Sequence, residues 1–139
     1  MDLSALYRQP STWEKLLEIR HNGFVDLKEG SRIGVLPKSD VSELNGEMIV
    51  WEVGDQGIVV STSPFRGFRG AGVDLLFVAE EDTLAVLCDG GPREPVAAIK
   101  NGLRQGRIIL YFLRSKKELL ALGYEELVES LGLPLSGCQ

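Results

Sequence analysis

The chain has one histidine and two cysteines in 139 residues, and each scarcity removes a class of chemistry. His21 is the only side chain whose ordinary pKa suits general-base work near neutrality. No nucleophile-elbow pattern accompanies it, so neither a Ser-His-Asp nor a Cys-His device is expected. Its place in the last turn of an expected helix gives a simpler reason for a histidine, because the helix dipole favours positive charge there. Cys88 and Cys138 lie 50 residues apart, with none of the Cys-x-x-Cys or His-x-x-x-His spacing of a zinc site. Cys88 closes an apolar run and Cys138 is the next-to-last residue, so a buried free thiol and a loose terminal one are expected, as suits a reducing cytosol. No cofactor and no metal is expected, and no catalytic residue is assigned.

Long apolar runs are also missing. The longest, Ile108 to Leu113, is far short of the ~20 residues that span a bilayer. Met1 to Tyr7 has neither a basic region nor an apolar core, so no signal peptide is expected. These absences predict a soluble, cytoplasmic protein with no membrane partner.

The remaining composition is that of an ordinary globular domain, 44% hydrophobic and 25% charged, and a single domain spanning 1–139 is expected. Net charge is −5, unevenly placed: residues 1–92 carry −7, residues 93–117 carry +6 and residues 118–139 carry −4. An acidic body opposes wholesale coating of nucleic acid, whose affinity comes from neutralised phosphates. The basic stretch leaves room for a local anion site.

Sequence periodicity predicts an α+β fold: a mostly antiparallel sheet of about six strands, with an N-terminal helix and one or two C-terminal helices packed on it. Ser11 and Glu14 form a capping box for a helix from about Thr12 to Asn22, stopped by Gly23, with Trp13, Leu16 and Leu17 on its inner face. Strands are expected at Phe24–Leu27 and Arg32–Leu36, followed by a helical turn in KSDVSELNG, 38–46. EMIVWEV and GIVVST flank GDQG, a hairpin. VDLLFVA and TLAVLC flank EED, which is read as a second hairpin. A short helix is expected after Pro95, and RIILYFL, 107–113, is the most strand-like run of all. Ser115 and Glu118 repeat the capping box, opening helices that break near Gly123.

One stretch stands apart. PFRGFRGAG, residues 64–72, repeats Phe-Arg-Gly, and residues 56–73 contain no acid. Its glycines fall in the order G-x-x-G-x-G, and a strand rather than a helix follows, which excludes a dinucleotide or P-loop cradle. Two rings and two guanidinium groups could stack bases and hold phosphates. They also match the residue types that dominate protein interfaces. The bland alternative is that the rings fold back as a plug. The expected function is that of a small acidic non-enzymatic protein, a regulator or inhibitor of the kind bacteria and phages encode. It would bind another protein with a basic surface, plausibly a nucleic-acid-processing enzyme. The contact residues expected are Phe65, Arg66, Phe68 and Arg69, with Lys116 and Lys117. The alternative is a nucleic-acid or anion-binding domain built from the 64–72 loop and the basic 93–117 stretch.

Overall fold

The computed structural model describes Trp13 and residues 27–43, 46–55, 57–68, 70–84 and 95–133. Most of the expected first helix falls outside them, although Trp13 is helical. His21, residues 24–26, Arg69, Cys88 and Cys138 also lie outside the described residues.

The fold is α+β. Its strands are β1 (Arg32–Pro37), β2 (Glu47–Gly54), β3 (Gly57–Pro64), β4 (Leu75–Ala79) and β5 (Ile108–Phe112), in the order β3-β2-β1-β4-β5. Its helices are α1 (Lys38–Glu43), α2 (Pro95–Arg104), α3 (Lys116–Leu122) and α4 (Glu125–Ser130). The GDQG hairpin forms as expected, with β2 and β3 paired from Glu47↔Pro64 to Gly54↔Gly57. So do the helix after Pro95, the Ser115–Glu118 capping box and the break at Gly123, which takes φ 88° at the end of α3.

Two expectations are corrected. The sheet is mixed and has five strands among the described residues, because β1 pairs with β4 in parallel, Ile33↔Leu75 to Pro37↔Ala79. The second hairpin does not form as read. Residues 81–84 make a helical turn, held by Leu84 N–H donating to Glu80 O at 3.1 Å and Thr83 N–H to Asp82 Oδ1 at 2.8 Å. The physical reason is that β4 has β1 on one side and β5 on the other, leaving no edge for a hairpin partner.

Alternation along the strands divides the core between two faces. Ile33, Val35, Ile49, Trp51, Leu75 and Phe77 turn toward the helices, where Ile99, Leu119, Tyr124, Leu127 and Val128 cover them. Trp13 closes that layer, its ring 5.4 Å from Trp51. Leu36, Met48, Val50, Leu76 and Val78 turn the other way. Among the described residues, that second face is shielded mainly by the short helix α1, through Val41, and by the 65–73 segment. Phe65 and Ala71 of the PFRGFRGAG stretch therefore cover part of that face. No helix among the described residues is long and apolar enough to cross a membrane.

Candidate functional site

Strands β3 and β4 run in the same direction with β2 and β1 between them, so the chain must cross about 14 Å of sheet to connect them. Residues 65–73 make that crossing as a strap. It is pinned at its start by Phe65 N–H donating to Gly46 O at 3.0 Å, and at its end by Arg32 Nη1 donating to Gly72 O at 2.9 Å. Between the pins, Ala71 N–H closes a turn onto Phe68 O at 3.3 Å. Gly67 and Gly70 take φ of 117° and 81°, a region costly for any residue with a Cβ, and the space around each is open. The triplet repeat places glycine at two of the three points where the strap takes a positive φ, Gly72 at 77° being the third.

The two phenylalanines divide the roles between them. Phe65 is 1% exposed and fills the second core cluster with Met48, Val50 and Leu76. Phe68 remains 37% exposed. Its ring stands edge-on to Phe65 at 5.8 Å and lies 4.8 Å from Tyr111 on β5. Such pairs fix a ring in place beyond the area they bury. Phe65 supports Phe68 from beneath and offers a partner no surface of its own. Arg66 is exposed, while Arg69 lies outside the described residues. The Phe68–Tyr111 contact brings the loop against β5, whereas α2, with Lys100 and Arg104 of the basic 93–117 stretch, packs on the other face of the sheet.

Beside the strap lies a polar hub that sequence reading missed. Asp74 is only 5% exposed. Its Oδ2 accepts from Arg32 N–H at 2.9 Å and from the Tyr124 hydroxyl at 2.8 Å, and its Oδ1 accepts from Arg114 Nε at 3.0 Å. Burial first, and then the Asp74 charge and hydrogen bond, push the Tyr124 hydroxyl well above the usual tyrosine range. The hub joins β1, β4, β5 and the α3–α4 junction, and so fixes where the strap lands. The one available signal was a lone acid at the head of an apolar run, GVDLLFVA. Arg32 also lies 3.6 Å from Glu52, a partly exposed pair worth little by itself. Lys116 and Lys117 open α3 two residues beyond Arg114, both exposed.

No protein family and no curated protein matches this chain. Among solved structures, a conserved hypothetical protein from Thermus thermophilus, a candidate sterol carrier protein, is similar at 20% identity with a TM-score of 0.41, covering 93% of this chain and 83% of that one. A likeness of that size carries no functional argument.

Proposed function

We propose that this chain is a small acidic, non-enzymatic protein that binds another protein and regulates or inhibits it by occupying its surface. The observation that supports this reading most directly is the state of Phe68: a large ring left 37% exposed, yet held between Phe65 and Tyr111. A ring fixed in this way loses little conformational freedom on binding, the property that makes aromatic residues interface anchors. On this reading Arg66 and Arg69, its neighbours in sequence, add cationic contacts, and Lys116 and Lys117 add further ones. The net charge of −5 favours approach to a partner with a basic field, such as a nucleic-acid-processing enzyme. The patch directly beneath the loop meets cationic side chains and is therefore acidic or apolar.

A second reading draws on the Phe68–Tyr111 pair, two neighbouring rings of the kind a single-strand stacking platform uses, with Tyr111 itself inside the basic 93–117 stretch. Co-purification from the native host separates the two readings. A protein that survives nuclease treatment and is lost with Phe68→Ala supports the first; recovery of nucleic acid alone supports the second.

A further inference from the structure

The two edges of the sheet are built differently. β3 ends in Pro64, which cannot donate a backbone hydrogen bond to an added strand, and Val59 is its one strongly exposed apolar side chain. β5 has no charge, no proline and no polar residue except the Tyr111 hydroxyl. Its side chains are left open on both faces, Ile109 at 42% on the strap side and Phe112 at 46% on the helix side.

Among the described residues, the outer backbone of β5 has no strand partner either. Leu113 N–H donates to Asp74 O at 2.9 Å, and this pair continues the β4–β5 register of Leu75↔Phe112 and Leu76↔Tyr111. Antiparallel alternation then turns the N–H and C=O groups of Ile109, Tyr111 and Leu113 toward β4, and those of Ile108, Leu110 and Phe112 outward. No described strand lies on that side, since β5 closes the sheet order.

From this edge, unpaired among the described residues, we infer that β5 is a docking strand, accepting an extended segment of a partner protein as the next strand of the sheet. The inference rests on the protein-binding reading above and names the partner's chemistry. Apolar side chains on the two faces of the added strand would pack on Ile109 and Phe112 respectively, the former beside the Phe68–Tyr111 pair. Charge selects the occupant. Arg107 stands before β5 and Lys116 and Lys117 after it, beyond Arg114, whose charge Asp74 already meets, so the incoming segment is apolar at its centre and acidic at its flanks. A second copy of this chain is disfavoured, because pairing β5 with itself sets the same cationic stretch against its twin.

The test selects short peptides displayed on phage against the full chain. Selected peptides, labelled with fluorescein, are then titrated by fluorescence polarisation onto wild type, Ile109→Lys and Phe112→Lys. Both substitutions place a charge at exposed positions, so each variant's melting curve is expected to match wild type. The expected result is enrichment of peptides with a continuous apolar centre and Asp or Glu at their ends. Binding should weaken roughly tenfold or more in each lysine variant. Hydrogen exchange of the Leu110 and Phe112 amides should slow when peptide is bound. Enrichment of basic peptides, failure to enrich any, or unchanged exchange at those two amides overturns the proposal. Sedimentation showing a wild-type dimer that Ile109→Lys dissociates also overturns it, in favour of a second copy. In pull-downs of the native partner, loss with Phe68→Ala but not with Ile109→Lys removes the edge and keeps the loop. The opposite pattern keeps the edge and removes the loop.

Discussion

The Tyr124 hydroxyl donates to Asp74 Oδ2 at 2.8 Å across 50 residues of sequence, with Tyr124 fully buried and Asp74 nearly so. This contact ties the helical layer to the sheet end where the strap lands. Replacing Tyr124 by Phe keeps the ring but removes one of the donors to a buried carboxylate, at a cost of about 1–3 kcal/mol. Urea unfolding of Tyr124→Phe against wild type measures it, and an unchanged midpoint would count against the hub.

The same pair sets an alkaline limit. The folded state raises the Tyr124 pKa above the unfolded value of 10.0 through burial and the neighbouring carboxylate, so the folded state retains the proton that the unfolded state gives up. The contribution is fully present below pH 10 and declines as pH climbs above it. The stability gap between wild type and Tyr124→Phe should therefore narrow from about pH 10 upward. A gap that stays constant through pH 11 would show that the hydroxyl is not held in this way.

Phe65 and Phe68 should separate stability from binding. Phe65→Ala opens a cavity beneath the strap and is expected to cost about 3–5 kcal/mol. Phe68→Ala removes a ring that is already 37% exposed and should cost well under half of that, while partner affinity falls by about 2 kcal/mol or more. Thermal melts and affinity measurements on the same two variants test this. If Phe68→Ala melts as low as Phe65→Ala with affinity intact, the second ring is also only a plug.

The arginines carry the electrostatic part. Arg66→Ala with Arg69→Ala should leave the melting temperature near wild type and weaken partner binding. Wild-type binding should itself weaken with added salt, since surface charges are screened over about 8–10 Å. Full binding by the double variant would reduce the loop to a structural turn.

Sequence legibility followed the range of the forces. The β2–β3 hairpin, the Ser115–Glu118 cap and the stop at Gly123 depend on residues within a few positions of one another, and they could be read directly. The parallel β1–β4 pairing joins residues about 42 apart, and no local pattern distinguishes it from an antiparallel one. The EED tip was misread for the same reason, because whether VDLLFVA needs a hairpin partner depends on strands far away in sequence. At the candidate site, the repeat drew attention to the loop, but identical triplets could not reveal that Phe65 turns inward and Phe68 outward. Asp74 was one acid among 20 until the fold brought Arg32, Arg114 and Tyr124 to it.

Gly34 gives the strictest test of how the strap's face is packed. It lies inside β1, the central strand, at a position where β-propensity alone would favour almost any other residue. A Cβ there would come within 2.6 Å of Met48 Sδ and 3.0 Å of Leu76 Cδ1. Met48 and Leu76 are both fully buried, and Met48 is shut in beneath the strap, so the thioether has little room to swing aside. Gly34→Ala should therefore destabilise by about 1–3 kcal/mol, through overpacking and not through backbone strain. Because Phe65 packs in the same cluster, the displaced Met48 should also disturb the seat of Phe68 and weaken partner binding. Shortening Met48 to Ala in the Gly34→Ala background supplies the discriminating measurement. Overpacking predicts that the second change costs much less in the variant than in wild type, where it opens a cavity. Equal costs in both backgrounds would mean that the two residues do not meet, and that the glycine is there for some other reason than space.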